Sequence, residues 1–504
     1  MIVMKCKTNE KNPNSLKFTN DVFWVGISQI IIYIISFFTF PVIAKTFGPE
    51  SYGIWSQIMV TVGLLTPVLT LHLGTAMVRY LSVESSKREL SQSFSNMFFL
   101  ILFFVLGLIL ISFIFKNNLS TLLFGNPEFS YYIILTFIWA GSSAFLLYFI
   151  SFLRAKGKIK ELSMINSSCY FIKFIPLLLF AFLGFSLWFI IITQIVIEIF
   201  FVCFLTINTI KKIGFNTPSL KNLKKYLVFS IPQIPSGALL WIIDSSDRYF
   251  ITNILDLTQT GIYSASYTLG TTISLFYVPL SFVVFPFISK FWENNNLEEV
   301  KRYLEYSTKL FLILAIPGAV GLYVISKPLL VLLSSTDFIS GGGALTFLIA
   351  LSTIFLGIYQ INLYVICLIE KTNVMPIIVF MGALINITLN LILIPTVGIM
   401  GAAIATIVSY SMLALIVVTW AKKEVGYIID PVFLSKIILA STLTYVLIRL
   451  FPINSFIDII FIVIAGSLLY LTCLVLLRTF SNEEKTFIVV LFNSLKSNIK
   501  RLVH

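Results

Sequence analysis

The sequence has little of the material from which active sites and metal sites are built. Only two of its 504 residues are histidine, and only 11% are charged. Its five cysteines show no CxxC or other paired spacing. Histidine and cysteine are common zinc ligands, and acid–base chemistry needs charged side chains. We therefore predict that the protein is not an enzyme, and that it has no cofactor, no metal site and no disulfide.

Apolar residues are what the sequence has in abundance. The hydrophobic set makes up 58% of the chain and the mean hydropathy is +0.97, which excludes a water-soluble globular protein. One membrane-spanning helix needs roughly 20 apolar residues. We therefore predict an all-α, polytopic membrane protein with about fourteen transmembrane helices. The predicted spans are 22–44, 53–78, 93–115, 129–153, 162–183, 186–208, 226–247, 261–289, 308–333, 343–369, 373–394, 399–420, 432–450 and 455–477.

The distribution of positive charge predicts how the chain crosses the membrane. The formal net charge is +13, but the basic residues are spread over short connections, so we predict no nucleic-acid partner. If the N-terminus is cytoplasmic, 29 of the 35 basic residues fall on the cytoplasmic side and five on the outside. Cytoplasmic loops are enriched in lysine and arginine. We therefore predict a multi-pass protein of the inner (cytoplasmic) membrane with both termini in the cytoplasm.

A short repeat divides the predicted spans into two sets of six. The segment YGIWS follows the first span and TGIYS follows the seventh, so Gly53 corresponds to Gly261, 208 residues later. A second match, between Gly184 and Gly398, has an offset of 214 residues. We predict two six-span lobes related by a parallel repeat, a common arrangement in alternating-access transporters. The predicted domains are 1–208 (N-terminal lobe), 209–225 (cytoplasmic linker), 226–420 (C-terminal lobe) and 421–504 (spans 13 and 14 and a cytoplasmic tail).

Three segments carry a resemblance to a known family. Residues 44–54 (AKTFGPESYGI) look like the LGPxxYG pattern that ends the first span of bacterial polysaccharide exporters, with Phe47 where the family usually has leucine. Residues 229–265 and 386–406 agree with later parts of the pattern, in the same order. The chain resembles the O-antigen and polysaccharide flippases of the multidrug/oligosaccharidyl-lipid/polysaccharide exporter superfamily. The resemblance implies a V-shaped fold of two lobes that moves undecaprenyl-diphosphate-linked oligosaccharide from the cytoplasmic to the outer leaflet.

Two ionisable residues inside the predicted spans are candidates for substrate binding or translocation. Lys173 and Glu198 lie about twelve residues on either side of the turn between spans five and six, which places them at the same depth. A charge in the membrane core costs about 3 kcal/mol and persists where water, a partner or a ligand offsets that cost. The two residues form either a structural ion pair, or a cavity site where Lys173 meets an anionic head group or Glu198 takes up a proton.

Four further candidates lie at the ends of spans. Asp244 and Arg248 are spaced i and i+4 at the outer end of span seven, which puts them on one helical face. They form either a helix-end ion pair or a site where the Arg248 guanidinium grips a diphosphate beside the cavity. Lys45 and Arg79, at the outer end of span one and the inner end of span two, are either topology anchors or substrate contacts.

Two other functions stay open on the sequence alone. A drug or cation exporter of the same fold would favour acidic residues along the lobes, whereas the candidates above are mixed and slightly basic. An integral-membrane polysaccharide polymerase would present a large outer loop, whereas the longest predicted outer loops have only about 15 residues. The expected partners are a lipid-linked oligosaccharide and membrane lipids. The coupling ion, a proton or sodium, and the participation of polysaccharide assembly proteins stay open.

Overall fold

The structure is a computed structural model, and it describes residues 13–81, 86–217, 219 and 223–479. These residues are almost entirely helical, and no β-strand occurs among them. The α-helices of the described part are α1 Pro13–Leu69, α2 Leu73–Tyr80, α3 Lys87–Ile114, α4 Lys116–Phe124, α5 Ser130–Ala155, α6 Ile159–Phe182, α7 Leu187–Ile213, α8 Leu223–Ser230, α9 Ile234–Ser245, α10 Asp247–Ile254, α11 Leu257–Gly270, α12 Ser274–Glu293, α13 Leu297–Leu333, α14 Ala344–Leu368, α15 Val374–Val397, α16 Ile399–Val425, α17 Pro431–Ile448 and α18 Phe456–Leu476. Short 3-10 turns lie at Pro127–Phe129, Ile231–Gln233, Thr271–Ile273 and Thr336–Gly341.

The lengths of the helices confirm the polytopic all-α fold. Within the described residues, 13 helical stretches are long and apolar enough to cross a membrane. The first of them, Trp24–Leu69, has 46 residues. The break at Gly48 divides it into helical segments of 24 and 21 residues, and at 1.5 Å per residue each segment is roughly 30–36 Å long, enough to cross the roughly 30 Å of a bilayer's hydrocarbon core. This stretch therefore has the length of two spans, and the stretches together account for about fourteen crossings.

The first two predicted spans are two helices that meet directly at a kink at Gly48, without the loop that the sequence predicts between them. Inside α1 only Gly48 leaves the helical conformation, with φ 78° and ψ −176°. Glycine adopts this positive φ without a steric penalty, and Pro49, which follows it, has no N–H to bond backwards. The second predicted span also ends earlier than expected, since α1 stops at Leu69 and α2 begins after His72, which has φ 51°. Polar residues between the two predicted spans interrupt the hydropathy pattern over several positions, whereas the backbone leaves the helical conformation at Gly48 alone.

Contacts between Cα atoms divide the chain into two compact units. Unit one comprises the described residues of Met1–Ser264, with Leu333–Ser335 and Val379–Ala402, and unit two comprises Ala265–Leu332, Thr336–Ile378 and the described residues of Ala403–His504. The central helix of unit one is α5, which packs against α1, α3, α6 and α7. In unit two α14 is comparably buried and packs against α12. These two helices are the fourth predicted spans of the two sets of six. The lobe boundaries predicted from the repeat follow a different division and stay a prediction.

The two copies of the sequence repeat touch each other inside unit one. A Cβ atom on Gly53 would collide with the carbonyl oxygen of Leu257 and would lie 3.2 Å from the backbone nitrogen of Gly261. A Cβ atom on Gly261 would collide with the carbonyl oxygen of Pro49 and would lie 3.0 Å from the backbone nitrogen of Gly53. Leu257 follows Pro49 by the same 208 residues that separate the glycines. The contact is therefore reciprocal, and each glycine permits the close approach of the other copy.

A hydrogen bond extends this contact by one helical turn. The hydroxyl of Ser56 donates to the hydroxyl of Ser264 at 2.7 Å, and the two residues are again 208 positions apart. Both serines are buried. When a twofold axis relates two copies of a segment, a residue close to the axis contacts the equivalent residue of the other copy. The contact between Pro49–Ser56 and Leu257–Ser264, here termed the repeat crossing, has the geometry of such an axis.

Candidate functional site

Glu198 is the centre of a buried polar cluster formed by three helices of unit one. It is carried by α7 and its side chain is 2% exposed; Lys173 of α6 forms an ion pair with its Oε2 atom. The same oxygen accepts a hydrogen bond from Trp139 Nε1 of α5 at 3.2 Å. The Oε1 atom accepts hydrogen bonds from Ser142 Oγ at 3.1 Å and Ser143 Oγ at 2.5 Å. These four donors offset the cost of burying the carboxylate.

The hairpin of α6 and α7 brings Lys173 and Glu198 to the same depth. Gly184, in the turn, has φ 76°, which glycine adopts readily at the end of a helix. Further down the hairpin, Gln194 Nε2 donates to the main-chain oxygen of Lys173 at 2.9 Å, a contact that fixes the relative position of the two helices. The proximity predicted from the spacing of the two residues is confirmed. A role in translocation stays a prediction.

Lys173 is the more accessible member of the ion pair. Its side chain is 13% exposed, and its Nζ atom lies 5.5 Å from the centroid of the Trp139 ring. Removing one charge of a buried pair leaves the other unbalanced, at a cost of about 3–5 kcal/mol. The pair can therefore hold α6 against α7. It can also act as a binding point if an incoming anion replaces Glu198 as the partner of Lys173.

A second buried charge cluster lies where α9 meets α10. The side chains of Asp247 and Arg248 are 0% and 7% exposed and form an ion pair of 3.2 Å. Arg248 Nη1 also donates to the main-chain oxygen of Asp244 at 3.1 Å. The hydroxyl of Tyr263 donates to Oδ2 of Asp247, and the Tyr263 ring lies below the guanidinium, 5.8 Å from its central carbon. Asp244 and Arg248 are thus close together as predicted, whereas the ion pair that fixes Arg248 is formed with Asp247.

The other two candidates, Lys45 and Arg79, are exposed. Lys45 lies in α1, three residues before the break at Gly48. Arg79 lies at the end of α2, and its guanidinium carbon is 4.5 Å from the centroid of the Phe229 ring of α8. The structure therefore brings Lys173 together with Glu198 and Asp244 together with Arg248, and it places Lys45 and Arg79 elsewhere on unit one.

Sequence reasoning missed the partners that complete both buried clusters. Trp139, Ser142 and Ser143 are polar groups within the apolar run 129–153, spaced so that three side chains can reach one carboxylate. Tyr263 was part of the repeated motif, but its hydroxyl could not be assigned to Asp247 without the packing of α10 against α11. Among the described residues, no group of three or more histidine, cysteine, aspartate or glutamate side chains could hold a metal ion.

Two curated relatives of the chain carry names of transport proteins. It is 27% identical over 237 residues to the probable flippase AglR of Haloferax volcanii, a match that covers 44% of this chain and 48% of the relative. It is 25% identical over 156 residues to a putative O-antigen transporter of Escherichia coli, covering 30% of this chain and 36% of the relative. The chain thus spans less than half the length of either of these curated relatives.

Comparison with solved structures and with protein families covers more of the chain. The fold is similar to that of the lipid II flippase MurJ in an inward closed conformation, with a TM-score of 0.73 and 20% sequence identity over 90% of this chain and 98% of MurJ. The family described as "Polysaccharide biosynthesis protein" matches residues 18–292, more than half of the sequence. The chain therefore has the polytopic helical fold of MurJ and belongs to the polysaccharide biosynthesis protein family.

Proposed function

We propose that the protein is a flippase which translocates an undecaprenyl-diphosphate-linked oligosaccharide, the repeat unit of an O-antigen or a related polysaccharide, across the cytoplasmic membrane. Its relatives are named as a flippase and an O-antigen transporter, and its family is one of polysaccharide biosynthesis. It would act by alternating access, opening a site to one side of the membrane at a time. On this proposal it is a transporter and not an enzyme.

The observation that carries this proposal is the repeat crossing. In many transporters with internal repeats, alternating access is the rocking of one repeat bundle against the other around a fixed binding site. In the repeat crossing, Gly53 and Gly261 bring two backbones into direct contact, and Ser56 and Ser264 join the same helices by one hydrogen bond. A joint of small side chains has few interlocking groups to rearrange when two helices pivot. The lobes would be residues 1–208 and 226–420, connected by 209–225 and followed by 421–504.

The candidate site residues suit an anionic substrate. Lys173 is partly accessible and sits at the middle of the α6–α7 hairpin. Its ammonium could receive a phosphate oxygen, while Glu198 would keep its three neutral donors from α5. Arg248, Asp244, Lys45 and Arg79 complete the set of proposed substrate or translocation residues. A proton or sodium ion would drive the cycle, and polysaccharide assembly proteins would receive the product.

A drug or cation exporter of the same fold is the alternative function, and a polysaccharide polymerase is a weaker one. Among the described residues, the buried acidic groups are Glu198 and Asp247, and each is neutralised by a basic neighbour, Lys173 and Arg248 respectively. A cation exporter would need at least one such carboxylate to be released for its substrate. The predicted outer connection between spans three and four is occupied by the short helix α4 and a 3-10 turn, Pro127–Phe129, which leaves little room for a polymerase site.

The orientation of the chain can be tested with reporter fusions. A cytoplasmic reporter should be active after Lys225 and after Lys423, and an external reporter should be active after Pro127, because 29 of 35 basic residues would then face the cytoplasm. Fusions after Ser51, in the short predicted outer segment, serve as a second external control. A reversed result at any of the three main positions would overturn the proposed topology.

Deletion of the gene tests the function directly. We expect complete lipid-linked oligosaccharide units to accumulate in the cytoplasmic leaflet and assembled polysaccharide to be absent from the cell surface, because the carrier's charged head group cannot cross hydrocarbon unaided. The measurement is the quantity of extracted lipid-linked oligosaccharide and its accessibility to an externally added glycosidase.

The two alternatives give different results in the same strain. Single, unpolymerised units that are already accessible from outside would identify a polymerase. Normal surface polysaccharide together with sensitivity to cationic drugs would identify a drug exporter. Either result would overturn the flippase proposal.

A further inference from the structure

The short helix α4 is bonded to a residue beside each copy of the sequence repeat. The main-chain oxygens in its last turn have no acceptor role within the helix and need donors from elsewhere. Gln57 Nε2 of α1 donates to the oxygen of Leu123 at 2.6 Å, and Asn253 Nδ2 of α10 donates to the oxygen of Leu122 at 2.8 Å. Gln57 directly follows the first copy of the repeat, and Asn253 lies four residues before the second. The end of α4 therefore joins the two arms of the repeat crossing.

The attachment of α4 to α1 and α5 is buried. The side chains of Gln57, Leu123 and Phe124 are all buried. The ring of Phe124 packs near those of Phe129 and Tyr132, with centroids 6.2 and 6.1 Å away. If α4 left α1, the amide of Gln57 would be left buried without an acceptor, which lowers the population of such a state about fivefold or more. We therefore expect α4 to stay with α1 and α5 whatever the neighbouring helices do.

The attachment of α4 to α10 is exposed to solvent. Asn253 is an exposed residue, and its Nδ2 atom also donates to the main-chain oxygen of Tyr249, one turn earlier in α10, at 2.9 Å. If α4 moved away from α10, water could replace the oxygen of Leu122 as an acceptor, and the bond within α10 would remain. The contact of α4 with α10 is therefore easier to break than its contact with α1.

The glycine that ends α4 lets its backbone lie close to that of α10. Gly125 has φ 71°, and its N–H donates to the main-chain oxygen of Thr121 at 3.0 Å, a helix ending that glycine favours. A Cβ atom at Gly125 would lie 3.1 Å from the main-chain oxygen of Thr252 and 3.6 Å from its methyl group. Thr252 is buried, and the end of α4 forms part of its cover. Separation of α4 from α10 would therefore expose Thr252.

We propose that α4 is a one-sided latch, which stays fixed to α1 and α5 and releases α10 when the helices pivot at the repeat crossing. The proposed topology places α4 on the outer side of the membrane. There the latched arrangement keeps the outer side closed, and release of α10 permits opening to the outside. This last step rests on the proposed function, whereas the one-sided release rests only on the contacts of α4.

Thiol labelling measures the release of the latch without any translocation. Thr252→Cys places a thiol under the end of α4, and a membrane-impermeant maleimide is added, in its linear concentration range, to right-side-out and to inside-out membrane vesicles. Adding Asn253→Ala should raise the labelling rate about fivefold, because one hydrogen bond between α4 and α10 is lost. Adding Asn118→Ala, which removes an exposed amide of α4, is the matched control and should leave the rate unchanged.

A change on the other arm tests whether the latch is one-sided. Gln57→Leu leaves the oxygen of Leu123 without its donor in a buried position, so the variant should unfold at a lower temperature than the unchanged protein. Asn253→Ala, on the exposed arm, should unfold close to the temperature of the unchanged protein. Thermal unfolding of the two detergent-solubilised variants makes the comparison.

Three results would each contradict the latch: labelling that Asn253→Ala does not accelerate, labelling that Asn118→Ala accelerates equally, or a larger loss of stability in Asn253→Ala than in Gln57→Leu. If Thr252→Cys does not fold, hydrogen–deuterium exchange of residues 249–253 in the purified protein decides in its place. Exchange should then be faster in Asn253→Ala, although alanine favours the helix, and equal or slower exchange would overturn the proposal.

The type of vesicle that is labelled reports on the topology separately. Labelling confined to inside-out vesicles would overturn the outer position of the latch, while the ratio of rates between the variants would still measure the one-sided release. A failed deletion phenotype would remove the proposed flippase function, and with it the opening step, and would leave the labelling result standing.

Discussion

Gly53→Ala is expected to leave little folded protein in the membrane, whereas Gly63→Ala, further along the same helix, should fold normally. The added methyl group at position 53 would collide with the main chain of Leu257 and Gly261. Backbone atoms cannot rotate away, so the helices must separate, at a cost of about 3 kcal/mol or more. At Gly63 the nearest atom to an added Cβ is Trp241 Nε1, at 3.9 Å. Thermal unfolding and size-exclusion profiles of the detergent-solubilised variants measure the difference.

The reciprocity of the repeat crossing gives this prediction a second test. Gly261→Ala should cause a loss similar to that of Gly53→Ala, because its methyl group would collide with the main chain of Pro49. The double variant should be little worse than either single variant, since both changes open the same contact. If Gly53→Ala and Gly63→Ala proved equally stable, the repeat crossing would not be a tight joint, and the proposed pivot would lose its support.

Glu198→Ala is the second change for which we expect a large effect. It leaves the Lys173 ammonium without its carboxylate partner and deprives Trp139 and Ser143 of the acceptor for their hydrogen bonds. The loss of unfolding free energy should be about 3–5 kcal/mol. Glu198→Gln should lose less, because the amide oxygen still accepts hydrogen bonds. The same thermal measurement applies, with surface polysaccharide as the readout of export.

Replacing both charged residues by neutral ones distinguishes a structural role of the ion pair from a role in translocation. Lys173→Met combined with Glu198→Gln keeps the volume and removes both charges, so it should recover most of the stability. Recovery of export as well would mean that the pair is structural. A stable double variant without export would place the charges in the transport cycle. Lys158→Ala, in the exposed ion pair with Glu161, is the control and should change stability by less than about 1 kcal/mol. Full stability and export of Glu198→Ala would contradict both roles.

The helical fold could be predicted from the sequence because apolar runs of membrane length have one structural solution. Without water to satisfy peptide groups, each run becomes a helix. The same pattern could not place helix ends. The connection 45–52 is polar enough to suggest a loop, yet the two helices of α1 meet inside it at a single kinked residue, Gly48. Likewise α4 fills a predicted outer loop. Hydropathy records where a helix meets lipid, whereas backbone hydrogen bonding decides where the helix ends.

In the candidate sites, only contacts between residues close together in the sequence could be predicted. A hairpin with a short turn fixes the depth of residues on both arms, which is why Lys173 and Glu198 were correctly placed together. The sequence around a hairpin does not indicate which third helix packs against it. The hydrogen-bond donors on α5 were therefore missed. The contact of the Arg79 guanidinium with the ring of Phe229 was missed for the same reason. Arg79 and Lys225 each precede a tyrosine in the sequence. Only the packing of α2 on α8, however, brings Arg79 to the ring of Phe229 and Lys225 to the ring of Tyr80.

The self-matching geometry of the repeat crossing also constrains how such a chain can evolve. Two identical half-length proteins that met through Pro49–Ser56 would have formed a symmetric homodimer, in which each glycine faced the carbonyl of the other subunit. Gene duplication and fusion would convert that dimer interface into a contact within one polypeptide. After such a fusion the sequences of the two copies can diverge at most positions. A larger side chain at either glycine, however, is tolerated only if the opposite backbone moves away. On this view the crossing is the point at which the symmetry of such a dimer is still visible in the contacts of a single chain.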